Sequence, residues 1–138
     1  MPAQQNVNPI VSLKNDILSK IQTAIDPSKD KDGTVLAEVS EKTGQLLKDC
    51  GVTVTQLRKV FTEVKRLSPD DENYKYKLNL LKAKLAYTAG RFPKIKDFQE
   101  IVNKAIPVAL QSPDALSRFK DFFEGAVAYH KYYGGKEQ

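Results

Sequence analysis

Apolar residues recur at three- and four-residue steps along most of the chain, the repeat expected of helices with one buried side. Ile10, Leu13, Ile17, Leu18, Ile21 and Ile25 predict a first helix that stops near Asp26-Pro27. The polar run from Ser28 to Gly33 reads as a turn. A second helix begins at about Thr34, with Val35, Leu36, Val39, Leu46, Leu47 and Cys50 on one arc and Gly51 placed for a left-handed cap. Thr53-Val54-Thr55-Gln56 has capping-box spacing and opens a third helix with Leu57, Val60, Phe61, Val64 and Leu67 inward. The fourth helix is expected from about Asp71 to Ala89, ending at Gly90, with Asp70-Asp71-Glu72 at its positive end. It has two apolar arcs: Tyr74, Leu78, Leu81 and Leu85 on one, Tyr76, Leu80, Ala83 and Tyr87 on the other. That pattern predicts a central helix, buried on both sides. Pro93 precedes a fifth helix carrying Ile95, Phe98, Ile101, Val102, Ala105 and Ile106, which Pro107 is expected to kink or end. Ser112-Pro113-Asp114 starts a last helix, with Leu116, Phe119, Phe123, Ala126 and Val127 inward, running into Tyr132-Tyr133 before Gly134-Gly135. Residues 1–8 read as a loose N-terminal tail and residues 9–138 as one domain. The expected fold is all-α, a compact single-domain bundle of five to six helices.

Composition narrows the function. The chain has 138 residues, 41% hydrophobic and 28% charged, which suits one ordinary globular domain. One Cys excludes an internal disulfide and a multi-cysteine zinc site, and one His excludes a site needing two imidazoles. No apolar run approaches bilayer-spanning length and the N-terminus lacks a secretion-signal pattern, so no membrane association and a cytoplasmic location are expected. The net charge of +5 is unevenly spread. Eleven basic and four acidic residues fall between Arg58 and Lys96, a net +7, while the other 99 residues carry −2. Four pairs there lie seven apart: Arg58 with Lys65, Lys59 with Arg66, Lys75 with Lys82, and Lys77 with Lys84. Each pair stacks on one side of its helix, two turns apart. Such rows suit a phosphate backbone, whose counterions are released on binding. The plain alternative is that these cations solvate the flanks of amphipathic helices.

Catalytic chemistry is missing. A Cys50 nucleophile would need a base, and the only imidazole, His130, is eighty residues away. Both fall on apolar arcs, where an inert thiol and a packed histidine are expected. Helix-start electrostatics accounts for Asp70-Asp71-Glu72 without a divalent metal. There is no G-x-G-x-x-G, Walker loop or H-E-x-x-H. No catalytic residue, no metal and no cofactor is expected. A helical-bundle enzyme would have to show itself through a copurifying metal or cofactor.

Two nucleic-acid readings remain from the residues alone. The second helix, the Cys50-Gly51-Val52 turn and the third helix have helix-turn-helix order, with Thr55, Gln56 and Arg58 where base-reading residues sit. The other reading is sequence-neutral binding along a backbone, by cations on several helices with aromatics near them: Lys82, Lys84, Tyr87 and Arg91 with Arg58, Lys59 and Arg66. Tyr76 and Tyr87 suit either that role or plain core packing.

Three stretches carry a resemblance. Thr53 to Phe61 resembles a T-x-[ST]-Q-[IL]-R helix start, Leu80 to Arg91 a segment ending Y-x-A-G-R, and Leu116 to Phe119 with Ala126 to Gly135 an ending A-x-V-A-Y-x-[KR]-[FY]-Y-G-G. Together they resemble the helical small subunit of type III-A CRISPR effector (Csm) complexes, across about residues 50–138. The resemblance implies a non-catalytic RNA-binding subunit of a ribonucleoprotein. Several copies would stack along the guide–target duplex and contact mainly the target-RNA backbone, while guide pairing supplies sequence specificity. The implied partners are target RNA and guide RNA, other copies of the chain, and the backbone and large subunits of the Csm complex, to which the cleavage activities would belong. The RNA-contacting residues it implies are Gln56, Arg58, Lys59, Lys82, Lys84 and Arg91; helical spacing adds Arg66. Thr53 reads as a cap, and Tyr129 to Gly135 as packing and a subunit contact.

Overall fold

The computed structural model describes residues 8–138. Six α-helices follow one another: α1 (Pro9–Ile25), α2 (Thr34–Asp49), α3 (Val54–Arg66), α4 (Tyr74–Arg91), α5 (Lys96–Ala109) and α6 (Pro113–Tyr132). A 3-10 turn, Pro93–Ile95, leads straight into α5. No strand occurs among the described residues, and none of their helices is long and apolar enough to cross a membrane. The expected tail lies outside the described residues except for Asn8, whose carboxamide oxygen accepts from Ile10 N–H and caps α1.

Local chemistry sets the helix ends. At α3 the capping box forms in both directions: Gln56 N–H donates to Thr53 Oγ1 at 3.2 Å, and Thr53 N–H to Gln56 Oε1 at 2.9 Å. Gly51 closes α2 with φ of 76°, a conformation only glycine adopts without strain. Its N–H donates to Lys48 O and the N–H of Val52 to Leu47 O, both at 3.0 Å, a Schellman motif. Gly134 ends α6 the same way, its N–H donating to Lys131 O and that of Gly135 to His130 O.

The core centres on α6. Phe119, Phe122 and Phe123 are fully buried there; Phe123 meets Phe98 of α5 edge-on at 5.2 Å and stacks on Phe61 of α3 at 5.9 Å. α2 lies against α6 so closely that a Cβ on Gly44 would sit 2.5 Å from Tyr129 Cβ. α1 packs on α2, α5 and α6, with Ile17, Ile21, Ala24 and Ile25 fully buried. It belongs to the bundle core.

Three expectations are corrected. α4 is peripheral, packed on α3 and α5. Its Tyr74, Leu78, Leu81 and Leu85 arc is buried, whereas Tyr76, Leu80, Ala83 and Tyr87 face solvent. It begins at Tyr74, not Asp71, because Asp71 turns back to accept from Asn73 N–H and Lys77 Nζ. It also runs through Gly90 to Arg91, and Phe92, held out of α geometry before Pro93, ends it. α5 carries Pro107 in its last turn and ends two residues later, at Ala109.

Candidate nucleic-acid interface

Two helices, bridged by the ion pairs of Glu63, define a basic groove. Leu57, Val60 and Val64 are the buried side of α3, which turns Lys59, Glu63 and Arg66 toward α4. The buried arc of α4 likewise turns Lys77 and Lys84 toward α3. Two of the four seven-residue cation pairs, Lys59–Arg66 and Lys77–Lys84, therefore face each other across one groove. Helical spacing extends the first row back to Gln56 and the second on to Arg91, seven residues past Lys84. Arg91 is exposed and lies 5.3 Å from the centre of the Phe92 ring, a cation–π contact.

Glu63 sits in the middle. Its Oε1 lies 2.9 Å from Lys84 Nζ and its Oε2 3.4 Å from Arg66 Nη1. This bridge separates two hollows of about 320 and 420 Å³. The first is lined by Arg66, Leu67, Tyr76, Lys77, Leu80 and Leu81, the second by Lys59, Ala83, Tyr87 and Thr88, and Glu63 and Lys84 border both. The hydrogen-bonded Lys84 ammonium holds the Glu63 carboxyl below the usual carboxylate range. Neither hollow contains a nucleophile–base pair. The groove sets cations, two of them anchored by Glu63, beside an apolar wall.

The other two pairs lie elsewhere. Lys65 borders a shallow hollow against α6 with Phe61, Lys120, Asp121 and Glu124, and Arg58 is seven residues before it on that flank. Lys82 is exposed with Lys75 on the side of α4 remote from α3. Of the seven residues expected to contact RNA, Gln56, Lys59, Arg66, Lys84 and Arg91 thus share the groove side. Arg58 and Lys82 do not.

The start of α3 is already occupied. After Gly134 the chain turns back, and Lys136 O accepts from Val54 N–H at 3.0 Å while Glu137 O accepts from Thr55 N–H at 2.9 Å and from its hydroxyl at 2.7 Å. These carbonyls satisfy helix N-terminal donors. His130 supports the same corner: it is buried, and its Nε2 lies 2.6 Å from Val52 O. Of the three residues a helix-turn-helix would use, Thr55 is held by the tail and Gln56 Oε1 by the capping box. Nothing local in the sequence signals this strap, because its partners are 82 residues apart.

Cys50 is half-buried at the end of α2, and burial, then Asp97 and Asp49, push its thiol up to about 11. Among the described residues no three His, Cys, Asp or Glu side chains cluster in a way that would hold a metal.

Comparison with known proteins accords with the resemblance. No curated protein and no solved structure matches the chain. A family model described as Csm2 Type III-A matches residues 30–136, from the turn before α2 to the strap over α3. The match includes all three motif stretches, both sides of the groove and every helix except α1. This chain belongs to the Csm2 Type III-A family, the small subunit of type III-A CRISPR Csm complexes.

Proposed function

We propose that the chain is a non-catalytic RNA-binding subunit that lies in several copies along the guide–target duplex of its complex and contacts mainly the target-RNA backbone through the α3–α4 groove. The observation that carries this reading is the meeting of two cation rows from separate helices across one groove. Cations fixed along a groove bind phosphates by releasing counterions and read no base edge, which suits a subunit whose complex leaves sequence to the guide. Other copies of the chain and the backbone and large subunits are its protein partners in this reading. The helix-turn-helix alternative draws less support, since the C-terminal strap lies across the first turn its recognition helix would present.

Fluorescence anisotropy with single-stranded RNA and duplex DNA at several salt concentrations tests it. A Lys59→Ala/Lys84→Ala/Arg91→Ala variant is expected to lose RNA affinity and to flatten the log–log salt slope by about 2, at roughly 0.7 for each phosphate no longer neutralised. Lys75→Ala/Lys82→Ala, on the opposite flank of α4, should lose far less. Equal losses in the two variants would show that bulk charge, not the groove, drives binding. Tight, sequence-dependent binding to duplex DNA with none to RNA would replace this reading by the helix-turn-helix.

A further inference from the structure

A groove that reads only phosphates leaves Tyr87 without a task. The tyrosine is 64% exposed, three residues from Lys84 on the same side of α4, and it walls the hollow of about 420 Å³ with Ala83, Thr88, Lys59, Lys84 and the Glu63 carboxylate that pairs with Lys84. It is not isolated. Tyr76, 67% exposed, and Leu80, 45% exposed, border the adjoining hollow. An apolar row, Tyr76–Leu80–Ala83–Tyr87, therefore runs along α4 beside the cation row Lys77–Lys84–Arg91, about a fifth of a turn away. A nucleotide has the same two sides, an anionic phosphate and an apolar base with a π-face. A purely apolar partner laid on this row would have to desolvate Lys77 and Lys84 without replacing their water. A nucleotide meets both rows at once.

Building on the RNA-binding reading above, we propose that the Tyr87 hollow is a stacking subsite for an unpaired nucleobase, with the adjoining phosphate held by Lys59 and Lys84. The phenol ring supplies the platform, Ala83 leaves room beside it, and the two ammonium groups fix the backbone. Stacking of this kind tolerates any base, because every base presents a π-face.

The test compares a single-stranded RNA with a ribose–phosphate strand of the same length that lacks bases, by fluorescence anisotropy at two salt concentrations. The wild type is expected to bind the base-bearing strand about tenfold more tightly. Tyr87→Phe should keep that ratio, and Tyr87→Ala should bring it close to one while leaving the salt dependence intact, since no cation is removed. Both substitutions are at an exposed position, and circular dichroism checks that the helices are retained. A 2-aminopurine in the RNA should be quenched by the wild type and not by Tyr87→Ala. Equal wild-type affinity for the two strands, or a ratio unchanged in Tyr87→Ala, overturns the stacking subsite and leaves backbone binding standing. Binding to neither strand at low salt overturns both.

Discussion

Asp30 lies within a run of lysines and aspartates that reads as solvated turn, yet its side chain is buried and saturated. Oδ1 accepts from Val35 N–H at 3.1 Å and Oδ2 from Leu36 N–H at 2.9 Å, so it caps α2 from four residues ahead of the first helical position, Gly33 having no side chain to do so. Oδ2 also takes a hydrogen bond from Arg118 Nη1 at 3.1 Å, which ties α6 to the same turn. Replacing Asp30 by Ala would orphan two helix donors and take the carboxylate from the mostly buried Arg118 guanidinium, leaving it the Ala24 and Lys31 carbonyls. Asp30→Ala is expected to cost about 2–5 kcal/mol, read as a lowered urea midpoint, with Arg118→Ala costing less because the cap survives. The sequence could not single out Asp30 among its neighbours, since the partner that decides it is 88 residues away. Thr53 and Gln56 are legible for the opposite reason: a capping box is complete within four residues.

Among the elements, α4 shows both the reach and the limit of periodicity. Spacing alone identifies its two apolar arcs and its seven-residue cation pairs. It does not say that only one arc finds a partner, because burial depends on where α3 and α5 stop. The same rotation that buries Tyr74, Leu78, Leu81 and Leu85 sends Lys84 into the groove and Lys82 away from it, so two lysines in the same half-turn of helix have different surroundings. In the sequence Glu63 is only a charge to subtract; its position between Arg66 and Lys84 makes it the groove's internal counter-anion. Its carboxyl is held low by Lys84, so the pairing is present at neutral pH and is lost only as pH falls through that lowered value. A phosphate must compete with it. Glu63→Gln is therefore expected to raise RNA affinity several-fold and to steepen its salt dependence, measured by the same anisotropy titration. A fall in affinity would instead make Glu63 a positioning residue for Lys84.

At the scale of the molecule, the family match begins at residue 30 and leaves α1 outside, although α1 completes the core. Its three buried isoleucines, Ile17, Ile21 and Ile25, contribute on the order of 5–9 kcal/mol of apolar burial, comparable to the whole stability of a domain this size. Ion pairs reinforce the seam: Lys42 reaches Asp16 at 2.5 Å and Glu38 at 2.8 Å, and Lys14 reaches Asp97 and Glu100 of α5. A chain starting at residue 30 is expected to lose its cooperative thermal transition and to bind the dye ANS; a melting temperature within a few degrees of the full chain's would show α1 to be ancillary. The apolar repeat makes α1 plain in the sequence, but only the packed structure shows which helices it covers. The strap from Gly134 to Glu137 bears on practice. Its carbonyls cap α3, so an affinity tag or fluorophore fused after Gln138 would emerge at the first turn of that helix, beside the Gln56 end of the basic groove. An acidic tag there would compete with nucleic acid and a polyhistidine tag would add charge of its own, so labels for binding work belong at the opposite terminus.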